Sequence, residues 1–318
     1  MRRAVVTGGA GFIGSHLVPA LLERGVSVLV LDNFAVGRRL HVVGWPNQGD
    51  CEVVTGDIRK AEDLEAIRRF EPDVVFHLAA LHYIPYCKAH PEETLDVNAG
   101  GTELLLGVLQ HVPLRGLVFA SSAAVYGFSD EPLSERSPLH PVDVYGISKL
   151  RGEELVHGFS REHPNVRVIT SRLFNVYGPR ETNPHVLPHV MELLKAGQRS
   201  IQLGNVWPKR DLVFASDAAE ALMLLASGPA GFDVFNIGTG VGTSIQDVIA
   251  LLQAVSGLAL EIEQSPERIR KEEGNLVSDS SKITAATGWR PRFELREGLS
   301  ELLRWEGLID ARTQPARI

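Results

Sequence analysis

The run Val5-Val6-Thr7-Gly8-Gly9-Ala10-Gly11-Phe12-Ile13-Gly14 leaves few folds open to this chain. An apolar, β-branched stretch ends in glycines and an amphipathic segment begins straight after them, as where a strand turns sharply into a helix. Glycine at these places lets backbone approach a pyrophosphate, and the N–H groups at the start of the helix attract its charge. Asp32, at the end of the next apolar run, stands where a carboxylate accepts hydrogen bonds from an adenosine ribose and repels a 2′-phosphate. The pattern predicts a dinucleotide site that prefers NAD, although Arg38 and Arg39 nearby pull toward NADP. Gly8, Gly11, Phe12, Ile13 and Gly14 are expected at the pyrophosphate and Asp32 with Asn33 at the ribose. Asp57, after a third apolar run, is placed to accept from the adenine amino group, or else is a solvated turn residue.

The rest of the first half repeats the same strand, turn and helix rhythm. Apolar runs at 4–7, 28–31, 52–55, 74–77, 116–120 and 166–171 alternate with helical periodicity over 12–23, 64–70, 95–109 and 145–160. This is the pattern of an α/β, doubly wound parallel Rossmann sheet. Beyond residue 172 prolines at 179, 184, 188 and 208 break the rhythm, while 212–215 and 234–237 still read as strands. We therefore expect residues 1–172 with 211–237 to form the dinucleotide-binding domain, and 173–210 with 238–318 a smaller, partly interleaved substrate lobe. A formal charge of −7 speaks against non-specific nucleic-acid binding, and no apolar stretch approaches the length of a membrane span. With two cysteines outside any C-x-x-C pair, no disulfide or metal site is expected, and the N-terminal residues lack the apolar core of a signal peptide, so a cytoplasmic location is expected.

Tyr145-Gly146-Ile147-Ser148-Lys149 places a phenol and an ammonium four residues apart, on one face of a helix. A phenol with its ordinary pKa near 10 is a poor base at neutral pH, and a neighbouring cation, with the positive nicotinamide of NAD, favours phenolate. Tyr145 is then able to take the proton of a substrate hydroxyl as hydride leaves the same carbon. Ser122, following the fifth strand at the edge where open α/β sheets bind ligands, is placed to hold the reacting oxygen.

With these come His77-Leu78-Ala79-Ala80, Asp57-Ile58, Asn98 with Gly101-Thr102, and Arg172-Leu173-Phe174-Asn175-Val176-Tyr177-Gly178-Pro179-Arg180. Taken in order, the blocks resemble the landmarks of the extended short-chain dehydrogenase/reductase family, of the NAD-dependent epimerase/dehydratase type, over nearly the whole chain. The resemblance implies Ser122, Tyr145 and Lys149 as the catalytic group, with Ser121 a supporting neighbour. It adds Ile58, Leu78, Ala79, Ala80 and Asn98 to the cofactor site, alongside Tyr145 and Lys149. In 4,6-dehydratases of the family the positions of Ala123 and Ala124 hold Asp and Glu, and decarboxylating relatives tend to carry Glu at the second. The Ser-Ala-Ala-Val-Tyr-Gly version most resembles the nucleotide-sugar 4-epimerases, which oxidise C4 of a UDP-hexose and reduce the 4-keto sugar on its other face.

On the substrate side the resemblance implies that Asn175 and Arg210 contact the diphosphate, and Arg268 and Arg270 compete for a further phosphate contact. Asn175 capping a turn, or Arg210 pairing with Asp211 or Asp217, is the structural alternative. His82 stands where some 4-epimerases have a lysine near the sugar, and Leu276 at a position that governs admission of N-acetylated sugars. Two other readings remain open: a nucleotide-sugar 4-ketoreductase using NAD(P)H, and a dinucleotide-sensing regulator without catalysis. A steroid or lipid dehydrogenase would suit the Tyr-Lys pair but not the phosphate anchors. Family members often pair through helices that here are 95–109 and 145–160, so a homodimer is expected.

Overall fold

Alternation of apolar residues decides which way each strand faces. In the first strand Ala4 and Val6 point to one side and Val5 to the other; Val28 and Val30 oppose Leu29 and Leu31 in the second in the same way. A sheet apolar on both faces needs helices on both, and the computed structural model, which describes residues 1–265, 267, 269 and 273–310, provides them. Walking along the chain, β1 (Arg3–Thr7), α1 (Gly14–Glu23), β2 (Ser27–Asp32), β3 (Cys51–Thr55), α2 (Ala61–Phe70) and β4 (Val74–His77) come first. Then follow α3 (Ile84–Ala89), α4 (Pro91–Leu95), α5 (Gly101–Leu109), β5 (Gly116–Ser122), α6 (Val144–Glu162) and β6 (Arg167–Leu173). The remainder comprises β7 (Asn175–Tyr177), α7 (Val186–Lys195), β8 (Ser200–Leu203), β9 (Lys209–Phe214), α8 (Ala215–Leu225), β10 (Gly231–Ile237), β11 (Gly242–Ser244), α9 (Ile245–Ser256), β12 (Glu261–Gln264), α10 (Ser281–Thr287) and α11 (Leu295–Trp305).

Seven parallel strands form the large sheet in the order β10-β6-β5-β4-β1-β2-β3, the doubly wound arrangement expected. Strand order reverses between β1 and β4, and ligands of such sheets bind beyond the carboxyl ends of the strands at that point. One face is covered by α1 and α8 and the other by α2, α5 and α6. A separate core, with Leu187, Val190, Leu194, Val248, Ile249, Leu252, Leu299 and Leu303 buried in it, holds α7, α9 and α11 together in the second lobe.

Two expectations change. The apolar strand at 209–214 does not join the large sheet: β9 pairs in parallel with β7 and antiparallel with β11, in a three-stranded sheet of the second lobe. Only β10 of the 211–237 stretch adds a strand to the large sheet, on the far side of β6. A buried strand is apolar in either sheet, so composition could not separate them. The helix expected over 95–109 is broken by a π turn at Asp96–Gly100, which turns the Asn98 side chain inward, where it is 2% exposed.

Gly298 brings α11 against the second lobe's small sheet so closely that an added Cβ would collide with the Tyr177 hydroxyl and approach Phe214 Cδ2 to 2.9 Å. Gly298→Val is expected to lower the unfolding free energy by about 1–3 kcal/mol, the usual effect of overpacking. Chemical denaturation monitored by tryptophan fluorescence reads this directly; an unchanged midpoint would mean that α11 gives way without strain.

Candidate active site

A cavity of about 1080 Å³ runs along the carboxyl edge of the large sheet and into the second lobe, at the upper end of ligand-pocket sizes. Its cofactor end is shaped by backbone. Gly8 adopts φ 71°, and a Cβ there would stand 2.7 Å from the Ala79 nitrogen. At Gly14, where α1 begins, a Cβ would meet Gly9 Cα at 2.5 Å, so the turn closes only around glycine. Gly11, Phe12 and Ile13 line the cavity beside them. Asp32 ends β2 at 7% exposure, its carboxylate accepting from the backbone N–H groups of Ala10 (2.9 Å) and Phe34 (2.8 Å). Burial pushes its pKa up, and those two hydrogen bonds oppose the rise. A tight glycine cradle at a helix N-terminus with an acceptor at the end of β2 fits the pyrophosphate and ribose of NAD.

The other cofactor-side residues divide between wall and support. Asn33, Asp57, Ile58, Leu78, Ala79 and Ala80 line the cavity. Arg59 grips both oxygens of Asp57, at 3.0 and 2.7 Å, and Asn33 Nδ2 donates to the same carboxylate at 3.2 Å. The side-chain bonds from Arg59 hold Asp57 well below the usual carboxylate range. Asn98 stands behind the wall: it accepts from Leu81 N–H and donates to Leu81 C=O and Ser148 Oγ, pinning the loop after β4 to α6.

Ser122, Tyr145 and Lys149 meet at the middle of the cavity. The Asp143 side chain caps α6 by accepting from Gly146 N–H at 2.9 Å, which starts the helix one residue before Tyr145. Ser122 Oγ accepts from Ala124 N–H at 3.1 Å, and its hydroxyl faces the Tyr145 phenol closely enough to favour the phenolate. Lys149 is 3% exposed and donates to the Ala120 carbonyl at 2.8 Å, with its ammonium 5.2 Å from the Phe119 ring centre. Loss of solvation pulls the Lys149 pKa down to about 8. Burial pushes the Tyr145 phenol up to about 12, with the Ser122 hydroxyl resisting. Lys149 spends its ammonium on a carbonyl, and the phenolate expected from sequence rests on that cation together with the positive nicotinamide of NAD.

The wall that the second lobe contributes is built largely by residues that sequence reasoning passed over. Glu181, Thr182, His185 and His189 come from the proline-broken stretch before and within α7, which carries no periodic signal. His82 lines the cavity, but its Nε2 lies 2.8 Å from Asn183 Nδ2 and accepts there, tying the loop after β4 to the second lobe. Burial lowers the His82 pKa to about 4, so the ring is neutral at pH 7. Asn175 is exposed on β7 at the cavity wall. Arg210 lines the cavity from β9, and its acidic partner is Glu273, at 2.9 Å, rather than Asp211 or Asp217. Asp211 is taken by Thr239, Gly240 and Ser278, and Asp217 by Arg292 and Phe293. Leu276 lines the same wall, while Arg268 and Arg270 lie outside the described residues.

The model of the NAD dependent epimerase/dehydratase family matches residues 4–238. A UDP-glucose 4-epimerase of Mycolicibacterium smegmatis is 33% identical to the chain, over 94% of this chain and 96% of the relative. Among solved structures, a Thermus thermophilus UDP-glucose 4-epimerase in complex with NAD superposes with a TM-score of 0.87 at 32% identity, covering 96% of this chain and 99% of the other. A UDP-N-acetylglucosamine 4-epimerase of Methanobrevibacter ruminantium, in complex with UDP-N-acetylmuramic acid, gives a TM-score of 0.85 at 28% identity over 96% and 97% of the two chains.

Because the Lys149 pKa in the folded protein, about 8, lies below the ordinary 10.5, the unfolded chain binds more protons between these values and stability rises with pH across that window. Lys149→Met is therefore expected to be more favourable to stability at pH 8 than at pH 10, by about 2 kcal/mol. Urea denaturation of both proteins at the two pH values tests this; a difference independent of pH would mean that the lysine is not desolvated.

Proposed function

The chain belongs to the NAD dependent epimerase/dehydratase family, and from that membership we propose that it inverts C4 of a UDP-hexose through a transient 4-keto sugar. The observation that carries the reading is the meeting of Ser122, Tyr145 and Lys149 in one cavity, with Ala123 and Ala124 beside them instead of a second acid and base. Tyr145 takes the proton of the C4 hydroxyl and later returns it to the C4 oxygen of the ketone, while Ser122 holds that oxygen within reach. NAD, held by the glycine turn and Asp32, supplies the hydride acceptor, the hydride for return to the opposite face, and a positive ring that favours the phenolate of Tyr145. Lys149 contributes a second positive charge to the same site and anchors α6 to the end of β5. Without an acid–base pair at 123 and 124, elimination of water from the ketone has no catalyst, and the sugar keeps its hydroxyls.

Asn175 and Arg210 hold the diphosphate in this reading, with Glu273 orienting the guanidinium. Residues 1–172 and 231–237 carry NAD, and the second lobe carries the nucleotide. The names of the similar proteins support a UDP-linked sugar. No helix among the described residues is long and apolar enough to cross a membrane. We place the enzyme in the cytoplasm as a homodimer joined through the helical face of α4 to α6, where Leu95 and Ile147 stay 39% and 45% exposed.

Mass spectrometry of the freshly purified protein is expected to find retained NAD, and incubation with UDP-glucose to yield UDP-galactose without added cofactor. Consumption of NADPH by a 4-keto nucleotide sugar, with no interconversion at C4, would make it a ketoreductase instead. Tyr145→Phe is expected to keep its NAD and to turn over about 10²- to 10⁴-fold more slowly, the range for a lost general acid–base group. Unchanged turnover in that variant would remove Tyr145 from the mechanism.

A further inference from the structure

Tyr145, Lys149 and Glu153 recur every four residues on α6 and so lie on one face of it. The first two reach the reacting centre. The third is 7% exposed beneath it, in a network that the C4 chemistry does not use. Glu153 Oε1 accepts from Ser121 Oγ at 2.5 Å and from Arg172 Nε at 2.9 Å, while Oε2 accepts from Arg172 Nη2 at 2.7 Å. Arg172, 4% exposed on β6, uses Nη1 to donate to the Tyr126 hydroxyl at 2.8 Å, which donates in turn to Asn236 Oδ1 on β10 at 2.8 Å. Ser121, Arg172 and Asn236 are direct cross-strand partners on β5, β6 and β10. The network therefore ties one face of α6 to three adjacent strands at the edge that carries Ser122.

A buried ion pair is a poor source of stability, since well-packed apolar residues of similar size commonly serve as well or better. What it does provide is a fixed geometry. A bidentate guanidinium–carboxylate pair accepts one orientation, and here the carboxylate also reads the hydroxyl of the residue adjoining Ser122. Close packing reinforces this, as Gly152 presses on the Phe119 ring that also faces Lys149, a Cβ at Gly152 meeting Phe119 Cζ at 2.5 Å. We propose that Glu153 is a positioning residue for the reaction: docked on Ser121 and Arg172, it sets the rotation of α6 against β5 and thereby the contact between Tyr145 and Ser122. The consequence for catalysis rests on the C4 reading above, whereas the consequence for α6 does not.

The test separates position from stability. Arg172→Met and Glu153→Met alone each strand a buried charge and are expected to destabilise, whereas the double variant removes both charges and is expected to regain a Tm near the parent's. Its kcat with UDP-glucose is nevertheless expected to stay about tenfold or more below the parent's, with KM and NAD content unchanged, as for a lost transition-state geometry. Recovery of kcat along with Tm would overturn the proposal. Should the double variant fail to fold, Ser121→Ala, which deletes a single hydrogen bond, is expected to lower kcat at constant KM, and parental kcat there would overturn it too.

A readout free of any substrate is the Lys149 ammonium, followed by NMR of isotope-labelled lysine. It is faced by Cys87 from α3, His77 from β4, Phe119 and the Ala120 carbonyl from β5, His82 from the loop after β4, and Glu153 on its own helix. Ser121→Ala, which leaves every charge in place, is expected to move its titration by about half a unit or more, because α6 loses part of its dock on Glu153. An unmoved titration would overturn the proposal. If the parent fails to interconvert UDP-glucose and UDP-galactose while this shift is seen, the C4 reading fails and the positioning role of Glu153 stands.

Discussion

An ammonium taken almost wholly out of water has to be compensated inside the protein, and Lys149 finds that compensation in the Ala120 carbonyl at the carboxyl end of β5. The bond holds only if α6 lies at one height and one rotation over the strand. Gly152 allows the approach, Asp143 starts the helix at the right residue, and Glu153 locks the next turn onto Ser121 and Arg172. Tyr145 is carried into contact with Ser122 by the same geometry. The group proposed as catalytic is thus less a set of three side chains than the meeting line of one helix and one strand, and the cavity opens where that line reaches the sheet edge.

The second lobe is held together, and fastened to this edge, by buried polar contacts between residues far apart in the chain. Asp211, fully buried on β9, accepts from the Thr239 and Gly240 backbone, and from the Ser278 backbone and hydroxyl. Asp217 does the same for the turn before α11, through Arg292 and Phe293. His82, on the cavity wall, bridges the lobes through Asn183. Each such group would be costly to bury alone, and each is satisfied by a partner from another segment, so the lobe has one way to close over the sheet.

The cofactor turn was legible because it is local. Gly8, Gly14 and Asp32 act through backbone shape and short-range hydrogen bonds, and the strand alternation that set the seven-stranded sheet is likewise written in neighbouring residues. The Tyr145–Lys149 spacing could be read for the same reason. How far burial raises the Tyr145 pKa could not: spacing tells which charge is near in the chain, whereas solvation depends on everything packed around the phenol. Glu181, His185 and Glu273 gave no signal because nothing in a proline-broken loop, or in a lone glutamate, says which wall it will line.

By itself, then, the sequence determined that this chain winds a parallel sheet after a glycine turn and that a serine, a tyrosine and a lysine share the cavity at the sheet edge, since helix period, strand alternation and glycine turns are short-range properties. Tertiary structure alone decided that the 209–214 strand belongs to the second lobe, that Asn98 supports the wall instead of forming it, that Arg210 is held by Glu273, and that Glu153 and Arg172 meet under the catalytic helix. Those outcomes depend on pairings between residues as many as 63 positions apart, as for Arg210 and Glu273, and only the packed chain brings such partners within the few ångströms over which a hydrogen bond acts.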